Sequence, residues 1–160
     1  MGSLIEIVTD SKGSVSAQVL REYYTKGLFN IFEELGIKSK IIDNPINDKP
    51  PFLIGTRIES PEYKTILFYG HGDTVPLQTG DWYEGINPSE LKVIGDKIYG
   101  RGIADNKGQH FINLMALLSV LKTKKKLGFN LKLIFEMGEE IGSPGLFELC
   151  ELYKEDLKSD

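Results

Sequence analysis

The chain has 160 residues, a formal net charge of −4 and a composition that is 41% hydrophobic. This length and composition are those of a soluble domain with its own core. The weak acidic balance argues against nucleic acid or a membrane surface as a partner. Cys150 is the single cysteine, so the chain forms no internal disulfide, and we expect it to be a small core residue. Because the N-terminus has no basic start before an apolar run, we expect a cytoplasmic protein.

The first part of the chain predicts a helix followed by strands. A helix is predicted over residues 14–35 and ends at Gly36, because apolar residues recur at helical spacing, namely Val15, Val19, Tyr23, Leu28, Phe32 and Leu35. Short apolar or alternating runs then predict three strands, at residues 37–42, 52–58 and 64–69.

The second part predicts a hairpin, a long helix, a strand and a last helix. The hairpin covers residues 91–99 and has a Gly-Asp turn. The long helix covers residues 106–121 and is capped by Asp105 or Asn106; its inward side chains are Ile112, Met115, Leu118 and Leu121. A buried strand follows at residues 130–135, and the pair Ser143-Pro144 starts a helix that continues to about residue 154.

The alternation of strands and helices predicts an α/β fold with a mostly parallel sheet and helices on both faces. In open α/β sheets, ligands bind at the carboxyl ends of the strands. Three polar clusters fall at such ends or at the start of a helix: His71 with Asp73, then Asp105, then Glu139 with Glu140. We therefore expect these clusters to share one edge of the sheet.

Each cluster has a catalytic interpretation and a simpler one. Imidazole is a common metal ligand, and a carboxylate such as Asp73 on its second nitrogen would orient it, although His71 is also consistent with a capped turn. Asp105 either caps its helix or bridges two metal ions about 3.5–4 Å apart. Glu139 and Glu140 either form a solvated acidic loop or provide a general base beside a metal ligand.

Four stretches together resemble one known family. They are LFYGHGDTVP, a W-x-x-x-x-N-P segment that begins at Trp82, IYGRGIADNKG and FEMGEEIGSPG. In their order and spacing they resemble the two-zinc metallopeptidases that include aminoacylase, acetylornithine deacetylase, succinyl-diaminopimelate desuccinylase and glutamate carboxypeptidase. The resemblance runs from about Lys64 to Leu149 and implies a zinc-exopeptidase-like catalytic domain.

The resemblance also implies a role for each site residue. His71 would bind one metal and Asp73 would orient it, Asp105 would bridge both metals, Glu140 would bind the second, and Glu139 would be the general base. The implied activity is hydrolysis of the amide bond of a small peptide or N-acyl amino acid by a metal-activated water. Zinc is the expected metal, and cobalt or manganese suits the same ligands.

The family pattern needs two further ligands, an acidic residue and a histidine near the end of a much longer chain. His110 lies in the helix after Asp105 and does not match that histidine. We therefore expect residues 1–160 to be the N-terminal portion of the catalytic domain, an incomplete domain without its lid, and the parent protein to be a homodimer. A non-catalytic remnant and one half of a split enzyme are the alternatives. A nucleotide-binding fold is disfavoured, because the sequence has no G-x-G-x-x-G after its first strand and no P-loop lysine pattern.

Overall fold

The computed structural model describes residues 1–13 and 15–160, and its N-terminal part is helical. Helix α1 spans Gly2–Glu6, α2 spans Ala17–Glu22, a π-helical turn spans Tyr23–Leu28, and α3 spans Phe29–Glu34. The helix predicted over residues 14–35 is thus confirmed from Ala17 onward, and Ser14 lies outside the described residues. Ser16 is the N-cap of α2, where its hydroxyl accepts a hydrogen bond from Val19 N at 3.4 Å.

The π-helical turn accounts for an irregular step in the apolar pattern. The apolar positions of this helix are three or four residues apart, except that Tyr23 and Leu28 are five apart. In a π-helix each residue bonds to the fifth along the chain, so a five-residue step keeps both side chains on one face. Both are fully buried, which shows that the wide turn preserves the core face of the helix.

Among the described residues, six strands form two sheets. The strands are β1 (Lys38–Ile42), β2 (Phe52–Arg57), β3 (Thr65–His71), β4 (Lys92–Ile94), β5 (Lys97–Tyr99) and β6 (Asn130–Glu136). Strands β4 and β5 pair as the predicted hairpin, and the other four form a sheet in the order β1-β2-β6-β3.

The α/β class is confirmed, but the expectation of a mostly parallel sheet is wrong. In the four-stranded sheet, β3 and β6 run parallel, whereas β1 with β2 and β2 with β6 are antiparallel. A parallel connection needs a crossover of about a dozen residues or more, usually with a helix. The loop at residues 43–51 between β1 and β2 has no helix, so these two strands pair in the antiparallel sense.

Helices cover both faces of the sheet, as the sequence predicts. They are α4 (Lys107–Lys124), α5 (Leu146–Leu152) and α6 (Lys154–Leu157), together with the N-terminal helices. One core packs α2, α3 and α4 against Leu53, Leu133 and Phe135, and the other packs α5 and α6 against Phe52, Ile54 and Ile134. Within residues 1–13 and 15–160, no helix is both long and apolar enough to cross a membrane.

The buried face of α4 differs from the predicted one. Its core residues include His110, Leu114 and Leu118, which recur every four residues along one stripe. Ile112 and Met115, predicted to face inward, are 63% and 37% exposed. Leu118 and Leu121, also predicted to face inward, are confirmed, since Leu118 is 4% exposed and Leu121 is partly buried against the core.

The last helix also departs from the prediction. Helix α5 begins after Gly145 and not at Ser143, because the Ser143 hydroxyl donates to Glu136 at 2.8 Å and does not cap the helix. Cys150, predicted to be a core residue, lies on the exposed side of α5.

The crossover from β3 through α4 to β6 brings the polar clusters to one edge of the sheet. Strand β3 ends at His71, and the parallel strand β6 ends beside it at Glu136. Helix α4 returns along the sheet from this edge, so the residues before it lie there too. The glutamate pair follows β6 in a short 3₁₀ turn, Glu139–Ile141.

Candidate metal centre

His71 is the buried centre of the site. It is the last residue of β3 and only 4% exposed. Its Nε2 lies 3.0 Å from Asp105 Oδ1 and 3.8 Å from Glu139 Oε2. Its Nδ1 lies 3.2 Å from the backbone oxygen of Asp73 and 3.4 Å from Asp73 Oδ1. One ring nitrogen therefore faces Asp73, and the other faces a group of carboxylates.

Asp73 connects His71 to the glutamate pair. It is fully buried, its Oδ1 accepts a hydrogen bond from Glu139 N at 3.2 Å, and its Oδ2 accepts one from Glu140 N at 3.0 Å. The sequence predicts only that Asp73 orients His71. In the structure the same carboxylate also holds the main chain that carries both glutamates.

The carboxylates around His71 Nε2 are open to solvent. The side chain of Asp105 is 69% exposed and that of Glu139 is 44% exposed. One donor atom from each of His71, Asp105 and Glu140 lies within 4.8 Å of the other two. Asp105 does not cap α4, since the N-cap position belongs to Asn106. The peptide bond between Asp105 and Asn106 is cis.

The local charges stabilise the protonated form of His71. Burial alone would lower the pKa of this imidazole, but the hydrogen bond to Asp73 and the charges of Asp73, Glu139 and Asp105 outweigh burial and raise the pKa to about 9. Burial, followed by repulsion from Asp105 and Glu139, raises the pKa of Glu140. The crowding of these carboxylates leaves an excess of negative charge that a cation would neutralise.

The donor set fits a divalent metal ion. Imidazole nitrogen and carboxylate oxygen are ligands for zinc, cobalt and manganese. The contacts of His71 Nδ1 with Asp73 match the second partner that metal-binding histidines usually have. Among the described residues, His71, Asp105 and Glu140 form the one group of three or more His, Cys, Asp or Glu side chains that converge this closely.

Glu136 is a second buried carboxylate beside the site. Its Oε1 accepts hydrogen bonds from the hydroxyls of Tyr69 at 2.6 Å and Ser143 at 2.8 Å, while its Oε2 is buried without a partner. Burial raises the pKa of this carboxyl group. Glu136 thus ties the end of β3 to the turn that carries the glutamate pair. Sequence reasoning misses it, because one more acid before Glu139 looks like part of the same acidic loop.

Asn106 is another residue whose role the sequence does not show. Its Oδ1 accepts a hydrogen bond from His71 N at 3.3 Å and lies 3.1 Å from His110 Nδ1. The four-residue spacing of Asn106 and His110 at the start of one helix is the signal that relates them, because residues so spaced share a helix face.

The fold and the site define an α/β domain with a candidate metal site, and comparison with known proteins gives its family. Residues 67–160 match the model of Peptidase family M20/M25/M40. Because this match covers more than half of the chain, the chain belongs to that family, whose membership implies divalent-metal binding.

Two curated relatives illustrate how far the similarity extends. The chain is 39% identical to the Beta-Ala-His dipeptidase of Mus musculus over 101 residues, which are 62% of this chain and 20% of the dipeptidase. It is 31% identical to an uncharacterized metallohydrolase of Methanocaldococcus jannaschii, over 96% of this chain and 38% of that protein. The chain therefore spans less than half the length of these relatives.

Two solved structures share the fold. Human carnosine dipeptidase 1 superposes with a TM-score of 0.86 at 29% identity, covering 98% of this chain and 34% of the dipeptidase. The M20 family metallo-carboxypeptidase Sso-CP2 from Sulfolobus solfataricus superposes with a TM-score of 0.80 at 29% identity, covering 99% of this chain and 35% of the carboxypeptidase. Nearly the whole chain thus corresponds to about a third of each of these proteins.

Proposed function

We propose that this chain is the N-terminal portion of the catalytic domain of a metal-dependent hydrolase that cleaves the amide bond of a small peptide or N-acyl amino acid. The convergence of donor atoms from His71, Asp105 and Glu140 within 4.8 Å carries this proposal. The names of relatives support a dipeptide-sized substrate, since they include a Beta-Ala-His dipeptidase and a Cys-Gly metallodipeptidase of Candida albicans. The homodimeric parent and the cytoplasmic location stay predictions.

His71, Asp105 and Glu140 would hold two zinc ions, with Asp105 between them. Metal bound there would act as a Lewis acid toward the scissile carbonyl and would make a water molecule more acidic. The side chain of Asp105 is 69% exposed and lies against His71 Nε2 through Oδ1 at 3.0 Å, so its carboxylate would have room for the bridging role.

Glu139 would be the general base. Its Oε2 lies 3.8 Å from His71 Nε2, so its carboxylate lies beside the same imidazole nitrogen that faces Asp105. It would accept a proton as the attacking water oxygen bonds to the carbonyl carbon, and would pass that proton to the amine nitrogen as the carbon–nitrogen bond breaks. Asp73 would keep Glu139 in place, because Glu139 N donates to Asp73 Oδ1 at 3.2 Å.

Metal titration tests this proposal. We expect the chain to bind Co²⁺, followed by its visible absorption, and expect binding to be lost in His71→Ala and in Asp105→Ala. Asp96→Ala is the matched control, because it removes an exposed carboxylate in the turn of the β4–β5 hairpin. Equal binding by all four proteins, or binding by none, would contradict the proposed metal site and favour the non-catalytic remnant.

A further inference from the structure

Asn106 occupies the N-cap position of α4 but does not cap the helix. An asparagine at this position usually accepts a hydrogen bond from a backbone N–H of the first helical turn, and no such bond forms here. Its Oδ1 instead accepts from His71 N at 3.3 Å. Strand β3 is at the edge of the sheet, with β6 on one side only. Asn106 Oδ1 is therefore the acceptor that a further strand would otherwise provide for the His71 N–H.

This contact fixes which way the Asn106 amide group points. A backbone N–H only donates, so the atom of Asn106 that faces His71 N is the oxygen. The same oxygen lies 3.1 Å from His110 Nδ1, and it only accepts. His110 must therefore carry its proton on Nδ1 and donate it to Asn106.

The other ring nitrogen of His110 has a matching partner. In a neutral imidazole with a proton on Nδ1, Nε2 is an acceptor. The Tyr23 hydroxyl lies 2.6 Å from His110 Nε2 and donates to it. Tyr23 is 0% exposed and His110 is 1% exposed, so the Tyr23–His110 hydrogen bond is shielded from water, and the chain continues from His110 to the partly exposed Asn106.

Close packing holds the His110 ring in this orientation. The ring packs edge-on against Phe135, with centroids 5.0 Å apart and an interplanar angle of 87°. Glycines flank His71 at the end of β3 and permit this approach: a Cβ at Gly70 would lie 3.2 Å from His110 Cβ, and one at Gly72 would lie 2.5 Å from Tyr23 Cε1. The backbone on both sides of His71 thus rests directly on this buried pair.

We propose that His110 is a positioning residue for His71. Backed by the Tyr23 hydroxyl, it holds Asn106 Oδ1 against the His71 amide and so fixes the position from which the His71 ring reaches the carboxylates. The consequence for metal affinity rests on the proposed function, whereas the hydrogen-bond chain does not. Through this chain, the N-terminal helical segment supports the site.

Hydrogen exchange of single amides tests the proposal. His110→Phe keeps a ring of similar size but removes the donor, and His110→Asn restores an amide N–H close to the position of Nδ1. We expect the His71 amide to exchange about tenfold faster, relative to the core amide of Leu133, in His110→Phe. We expect His110→Asn to restore much of the protection. A merely structural role would speed the exchange of both amides alike.

Two further readouts complete the test. Imidazole nitrogen NMR of the wild type should show His110 protonated on Nδ1 and unprotonated on Nε2. Co²⁺ affinity should fall about tenfold in His110→Phe and recover in His110→Asn. Unchanged His71 exchange in His110→Phe, equal acceleration of Leu133, or a proton on Nε2 would each overturn the proposal. Selective acceleration in a chain that binds no Co²⁺ would support the hydrogen-bond chain and refute the proposed metal site instead.

Discussion

Asp73→Asn is the substitution that most directly probes how the site is held together. Asp73 is fully buried, and its two oxygens accept from Glu139 N at 3.2 Å and from Glu140 N at 3.0 Å. An asparagine has the same shape but only one acceptor oxygen. Whichever way it turns, its NH₂ group faces a backbone N–H, and His71 Nδ1 loses its carboxylate neighbour.

The expected loss follows from these contacts. A hydrogen bond to a buried charged acceptor contributes about 1.5–3 kcal/mol. One such bond is lost and replaced by a donor–donor contact, so we expect the free energy of unfolding to fall by about 3 kcal/mol. Because Asp73 also supports the proposed ligand His71, Co²⁺ affinity should fall by about 10- to 100-fold.

Urea unfolding in the presence of a chelator isolates the stability change from any metal binding. Asp10→Asn is the matched control, since Asp10 Oδ1 accepts from Lys12 N at 2.9 Å and Gly13 N at 3.0 Å in an exposed turn. A single oxygen accepts both bonds there, so asparagine can keep them and the change should be within about 0.5 kcal/mol. Equal losses in the two variants, or a loss below about 1 kcal/mol for Asp73→Asn, would refute the reasoning.

Two further predictions concern buried basic side chains of α4. Lys107 Nζ donates to the backbone oxygens of Leu4 at 2.9 Å and Ile7 at 2.7 Å, so Lys107→Met should lower the free energy of unfolding by about 2 kcal/mol; an unchanged urea midpoint would contradict this. Burial, reinforced by the positive charges of His71 and Lys107, lowers the pKa of His110 to about 3. Below about pH 6.5, His110 takes up a proton in the unfolded chain but not in the folded chain. The free energy of unfolding therefore decreases as the pH is lowered, by about 2 kcal/mol from about pH 6.5 to pH 5. Urea unfolding at both pH values should show this decrease in the wild type and not in His110→Asn. The same decrease in both proteins would contradict the prediction.

Local sequence signals predict most elements of this fold but not the direction of its strands. Apolar periodicity and turn residues locate the strands and the long helix, because both signals act over a few neighbouring residues. The antiparallel pairing of β2 with β6 joins Leu53 to Phe135, which are far apart in sequence. Such a pairing leaves no local trace, so the alternation of elements alone suggests a more parallel sheet than the one that forms.

The candidate site likewise has residues that the sequence predicts and residues that only the structure shows. Its acidic and histidine clusters are visible in the sequence because each follows a strand or precedes a helix, and the β3–α4–β6 crossover explains why they meet. The residues that support them are not visible. Tyr23 and His110 are 87 residues apart, and only the packed structure shows that they share a hydrogen bond.

The exposure of the site residues suggests how His71 and Asp105 would share the binding of metal. His71 and Asp73 are almost fully buried and are held by Asn106 and by the main chain of the glutamate pair. Asp105, in contrast, is 69% exposed and contacts His71 Nε2 through one oxygen. The fixed imidazole would therefore set where a first ion binds, and the exposed carboxylate keeps the freedom to turn toward a second. A site divided in this way needs little reorganisation of its buried part when metal binds, which lowers the cost of binding. For this reason, substitutions of the buried residues that support His71, such as His110, should weaken metal affinity even though they alter no proposed ligand side chain.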